Sequence, residues 1–174
     1  MRRLLRKPVT WVVLVVLTVG LVVGLVLFEP WRAFTSSHVD EALPTAAPPA
    51  AEQAVDDAPA GPAELAKGTF VSGEHDTSGT ARVLRLPDGE RILRLEGFST
   101  SDGPDVRVWL STTKAGADWG AFDDGRVVQL GQLKATDGNH NYAIPAGADL
   151  EGLRSAVIWC DRFNVAFGSA PLAL

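Results

Sequence analysis

Hydrophobic and polar positions along the chain fall into three regimes. Val9 to Phe28 is a mostly apolar run of twenty residues without a formal charge. Thr35 to Ala66 has few large apolar side chains and no period. From Lys67 onward the pattern becomes short alternating segments separated by turn residues. The first regime predicts a helix of about 30 Å, enough to cross a bilayer core. The second predicts a solvated spacer. The third predicts strands.

Around the apolar run, Arg2, Arg3, Arg6 and Lys7 precede it and only Arg32 follows closely. That asymmetry places the N-terminus in the cytoplasm and everything after Arg32 outside it, as a single-pass plasma-membrane protein. Trp11 and Trp31 lie near the two ends, where amphipathic rings favour the headgroup layer. A cleaved signal peptide would have a shorter apolar core, about 7–15 residues, and a small-residue cleavage site. Glu29-Pro30-Trp31-Arg32-Ala33-Phe34 offers no such site, so an uncleaved signal-anchor is expected.

The chain divides accordingly: 1–8 a basic cytoplasmic flank, 9–28 the anchor, 29–66 a Pro/Ala-rich acidic linker, and 67–174 one folded domain. Prolines 44, 48, 49, 59 and 62 alternate with alanines in the linker. This composition predicts a disordered tether reaching roughly 30 to 100 Å from the bilayer.

Within the domain, strands are predicted at 68–71, 80–86, 91–98, 106–111, 126–130, 140–144, 155–160 and 163–167. Pro87-Asp88-Gly89-Glu90 predicts a tight hairpin turn. Asp102-Gly103-Pro104-Asp105 and Thr136-Asp137-Gly138-Asn139 also read as turns. No window shows a clear 3.6 period, although 117–123 and 149–153 have room for one helical turn. About eight short strands imply an all-β fold, an antiparallel sandwich or a partly closed barrel.

Composition then narrows the function. The domain has 11 Lys or Arg against 14 Asp or Glu, interspersed and without a basic stripe, which argues against nucleic acid as a partner. There is no nucleophile elbow and no glycine-rich phosphate loop, so hydrolase and nucleotide-binding chemistry have no positive support. Asp118, Asp123 and Asp124 lack the spacing of a calcium loop.

One feature carries candidate chemistry. Cys160 is the single cysteine, so no disulfide can form within the chain. It ends the run Ala156-Val157-Ile158-Trp159-Cys160. Alternation puts Ala156, Ile158 and Cys160 on one face and Val157 and Trp159 on the other, so the strand should be covered on both sides. Cys160 is then either a small core hydrophobe or a redox centre. His75, Asp105, Trp109 and Trp159 are the candidate pocket neighbours. With His75 and His140, Cys160 would complete a His₂Cys donor set of the blue-copper type. Copper is disfavoured: no histidine follows Cys160 closely, no axial methionine is available, and both histidines sit in polar segments expected to face solvent. Covalent c-type haem needs a C-x-x-C-H motif, which is absent. Trp109, Trp119 and Trp159 serve as packing residues or as surfaces for a flat cofactor.

An ordered set of motifs resembles the DM-thirteen domain, also found in Skeletor proteins of animals. Gly68-Thr69-Phe70 with His75 and Ser78-Gly79-Thr80-Ala81 is similar to its opening. Ser101-Asp102-Gly103-Pro104-Asp105-Val106-Arg107-Val108-Trp109-Leu110-Ser111 is similar to its central motif. Leu130-Gly131-Gln132-Leu133-Lys134 followed by Asn141-Tyr142-Ala143-Ile144-Pro145 resembles the next. Val157-Ile158-Trp159-Cys160 followed by Phe163-Asn164-Val165-Ala166-Phe167-Gly168 resembles the closing motif with the family's cysteine. The resemblance covers 67–174. It implies extracytoplasmic electron transfer, with the cysteine as a free thiol or as a ligand to a prosthetic group such as haem. It also implies a partner on another chain, a membrane or envelope protein, of which a redox protein is one kind. The alternative class is a non-redox binding or scaffold module that stabilises a membrane complex, with Cys160 in its core.

Overall fold

The computed structural model of the chain describes residues 8–44 and 61–174. Helix α1, Pro8–Phe28, has no residue buried against the rest of the protein. It is long and apolar enough to cross a membrane. A 3₁₀ turn, Pro30–Phe34, follows it.

The rest is a sandwich of two five-stranded sheets. Strand β1 is His38–Asp40, β2 Ala63–Thr69, β3 Val71–Ser72, β4 Ser78–Arg85 and β5 Arg91–Ser99. Strand β6 is Val106–Ser111, β7 Val127–Gln132, β8 Asp137–Ile144, β9 Ser155–Cys160 and β10 Val165–Pro171. One sheet runs β1-β8-β5-β4-β2 and the other β3-β10-β9-β6-β7. All pairings are antiparallel except that of β1 with β8. The open alternative, barrel or sandwich, is thus settled as a sandwich.

Alternating side chains build the layer between the sheets. Val83, Leu93 and Leu95 from one sheet meet Val108, Leu110 and Ile158 from the other, all of them fully buried. Burying each contributes about 1.5–3 kcal/mol relative to exposure. The hairpin at Asp88-Gly89 forms as predicted, with Leu86 and Glu90 joined by a 2.7 Å backbone bond. The two stretches with room for a helical turn form isolated turns, closed by Ala121 N–H to Asp118 O and Leu153 N–H to Leu150 O.

Two expectations are corrected. The stretch read as a linker, 29–66, contributes strand at both of its ends. Ala63–Thr69 pairs with β4, and His38–Asp40 pairs with β8 in register His38–Asp137, Val39–Gly138 and Asp40–Asn139. The middle, 45–60, lies outside the described residues. A tether predicted from composition is therefore replaced near the helix by a strap along a sheet edge. Thr136-Asp137-Gly138-Asn139, read as a turn, instead opens β8. Gly138 has φ +112°, and a Cβ there would overlap the Val39 carbonyl, so the glycine that suggested a turn serves a close strand approach.

Polar bonds hold the strap. Thr136 Oγ1 donates to Ser37 O (2.9 Å), Asn139 Nδ2 to Asp40 Oδ1 (2.6 Å) and Asn141 Nδ2 to Ala42 O (2.8 Å). Lys134 Nζ reaches both Glu41 oxygens at 2.7 and 2.9 Å. Burial alone would raise the Glu41 carboxyl. The bonds from Lys134 and the Asn141 amide outweigh it and hold the group below the usual carboxylate range.

Candidate functional site

Strand β9 carries Cys160 at its C-terminal end, and all six of its residues are buried. The face alternation predicted for it holds. Ala156, Ile158 and Cys160 belong to the layer between the sheets. Val157 and Trp159 lie on the outer face with Trp109, Phe122 and Ala166, beneath residues 112–126. That covering segment is tied down by Ser111 Oγ to Phe122 O (3.2 Å), Gly116 N–H to Ser169 Oγ (3.0 Å) and Ala166 N–H to Trp119 O (2.8 Å).

Cys160 is 0 % exposed and forms no disulfide. Its backbone pairs with Val106 on one side and Val165 on the other, and both side chains are buried. Immediately after it the chain turns through Asp161-Arg162-Phe163-Asn164, where Asn164 takes φ 56°. Asn is one of the few residues that adopts this left-handed conformation readily.

The predicted neighbours separate into two groups. Trp109 and Trp159 stack on each other, with ring centroids 4.8 Å apart and planes at 25°, on the outer face. The sheet therefore lies between them and the Cys160 side chain, and they do not line a pocket with it. Trp159 Nε1 donates to Asp161 Oδ1 (3.2 Å), whereas Trp109 Nε1 is buried without a partner. His75 and Asp105 do lie at the Cys160 end. The His75 ring packs 4.0 Å from that of Phe167. The Asp105 carbonyl accepts from Asp161 N–H (2.9 Å).

Two charged residues here were not singled out from the sequence. Arg107 Nε lies 3.1 Å from Asp105 Oδ1 and 3.1 Å from Asp161 Oδ2. The bond to Asp105, then that residue's charge, raises the guanidinium above its ordinary value. Asp105 lies in the turn that leads into β6 and Arg107 is the second residue of that strand, a spacing of two that could have suggested the pair. Nothing local points to Asp161.

Beside this triad is a polar cleft of about 180 Å³, lined chiefly by Arg32, Asp102, Asp105, Gln132, Lys134 and Thr136. Arg32 comes from the segment after α1 and reaches Asp102 at 3.4 Å. Cys160 is not part of the lining.

His140 differs from its expected exposure. It is fully buried on β8, edge-on to Phe98 at 5.6 Å, with Nε2 3.1 Å from Asp137 O and Nδ1 without a partner. The contact to a carbonyl assigns the proton to Nε2. Burial lowers its pKa, offset in part by the Asp137 bond. Among the described residues, no three His, Cys, Asp or Glu side chains are placed to share a metal ion. The structure thus does not assemble His75, His140 and Cys160 as a copper set.

A haem does not fit around Cys160 either. The sulfur has no open face, and the adjacent cleft is polar and smaller than the roughly 300–1,000 Å³ usual for organic ligands. A buried, enclosed thiol is also the environment in which cysteines are chemically inert.

No curated protein and no solved structure gives a significant match. A match to the family described as Electron transfer DM13 spans residues 69–172, which is most of both sheets and includes Cys160. The chain belongs to the Electron transfer DM13 family.

Proposed function

We propose that this chain is a membrane-anchored electron-transfer accessory module, with α1 as its single span, the N-terminus cytoplasmic and the sandwich on the outer side. The observation that carries this is the family match over residues 69–172, most of both sheets, joined to a helix of membrane-spanning length. Cys160, the only thiol, is its candidate redox group. The partner is a redox protein of the same membrane or envelope, and the interspersed charges of residues 67–174 do not favour nucleic acid.

The second reading has its own support. Cys160 is 0 % exposed within the main core, as a structural cysteine would be. The module would then be a scaffold for a membrane complex. Both readings are tested on the full chain isolated from its native membrane, beside Cys160→Ser. The redox reading expects a thiol that titrates in the native wild type, a signal the variant loses. A thiol inert to alkylation until unfolding rejects it in favour of the scaffold.

A further inference from the structure

We propose that the end of the sandwich carrying Trp119 and Phe163 lies in the lipid headgroup layer, as a second membrane contact beside α1. This rests on α1 spanning the bilayer. Among the described residues of the folded domain, the exposed large apolar side chains are Val71, Trp119 and Phe163. The last two gather at one end. Trp119 O accepts from Ala166 N–H, and Phe163 lies in the turn that precedes Ala166.

The bilayer is the occupant because the helix arrives at this end. The last residue of α1, Phe28, stacks on Phe163 with centroids 6.0 Å apart and planes at 11°. Trp31, half exposed, follows three residues later. Thr35 Oγ1 then donates to Asp102 Oδ2 at 2.7 Å, and β1 joins the sheet edge from His38. Ten positions separate Phe28 from His38, and Arg32 is bonded to Asp102 midway. The domain therefore has no slack with which to leave the membrane surface.

The chemistry of the end suits the interface. Tryptophan and phenylalanine rings at the helix terminus and on the domain would share one headgroup level. Part of the charge at this end is already matched within the protein: Arg107 with Asp105 and Asp161, and Arg32 with Asp102. Attachment by aromatic burial needs no anionic lipid, so neutral phosphatidylcholine suffices and added salt does not release the contact.

The test uses the full chain reconstituted in phosphatidylcholine vesicles. Phe163→Cys, Trp119→Cys, Arg162→Cys and Glu90→Cys each receive an environment-sensitive fluorophore. Wild type treated in parallel sets the background from enclosed Cys160. Labels at 163 and 119 should shift to the blue and lose most of their emission to lipids spin-labelled near the headgroup. The label at 162 reports the same end should either aromatic variant not fold. The label at 90, on the hairpin turn, should stay in water. Equal quenching at 163, 162 and 90 overturns the proposal. So does a blue shift without lipid quenching, because a protein then covers the patch. Failure of the chain to float with the vesicles would instead remove the membrane span itself.

Discussion

Strands β9 and β1 are held in opposite ways. The central strand, Ser155–Cys160, has every side chain buried, one face against the other sheet and one beneath the 112–126 segment. The edge strand, His38–Asp40, is mostly exposed and held by main-chain pairing to β8 and by polar side chains. Apolar burial is not directional and is strong per residue, so it fixes β9 firmly but leaves Cys160 without access to solvent. Polar bonds exchange with water and give little net energy, so they can position β1 without making it part of the core. The residue most suggestive of chemistry thus lies in the least accessible strand. The adaptable polar contacts lie where the chain meets the membrane helix.

The largest expected effect comes from breaking the outer face of β9. Trp159→Ala removes a fully buried ring that stacks on Trp109 and leaves a cavity under the 112–126 cover. Stability should fall by about 3–5 kcal/mol, measured by urea unfolding of the full chain in detergent. A loss below about 1 kcal/mol would mean that the cover collapses to fill the space and that β9 is not held from both faces.

Next is the inner face. Cys160→Ser places a hydroxyl between Val106 and Val165, at a cost of about 1–3 kcal/mol if it finds no partner. Cys160→Ala keeps the site apolar and isolates the polar penalty, since its remaining cost is only the lost volume. If serine and alanine destabilise equally, the site is less enclosed than the geometry shows, and the case for an accessible thiol gains.

His140 connects the two regions, because β8 faces the core through His140 and pairs with β1 at its start. Its folded pKa is lowered by burial, with Glu41, Lys134 and His38 acting on it from around the strap. Below the unfolded value of about 6.5, the unfolded chain binds a proton that the folded chain resists. Stability should therefore be full above that value and decline as pH drops from it toward the folded value. His140→Phe should flatten the decline in this window. It should leave the separate loss at lower pH, where Glu41, Glu96 and Asp137, all with lowered pKa values, take up protons. An unchanged slope near pH 6 in the variant would assign the titration to another group.

Much of β9 was legible because a strand buried on both faces is written as a continuous apolar run. Its alternation then divides Cys160 from Trp159 correctly. The membrane helix and the Asp88-Gly89 hairpin were legible for the same reason, since each is a local pattern. Strand β1 was not. Three residues, His38, Val39 and Asp40, have no period to detect, and a parallel partner 99 positions away leaves no local trace. The burial of His140 was partly readable. Gly138, His140, Tyr142 and Ile144 alternate with Asp137, Asn139, Asn141 and Ala143, but the Asp-Gly-Asn composition points to a turn and masks the alternation. The aromatic end escaped detection because Phe28 and Phe163 meet only through the fold.

The smallest effect is expected at the strap. Glu41→Ala removes the carboxylate that takes Lys134 Nζ and the Asn141 N–H (2.6 Å). Glu41 and Lys134 side chains are 32 % and 38 % exposed, so water replaces much of what is lost. The global cost should be about 0–1 kcal/mol and should shrink further in high salt. The native Glu41 contribution is present above the ordinary carboxylate value and is lost as pH falls through the lowered folded one. A local readout shows more than a global one. Hydrogen exchange at Asp40, Glu41 and Asn141 should accelerate while Val157 to Cys160 remain protected, because an edge opens without the core. If the β9 amides accelerate to the same extent, the strap and the core form one cooperative unit, and the distinction between the two strands is one of composition alone.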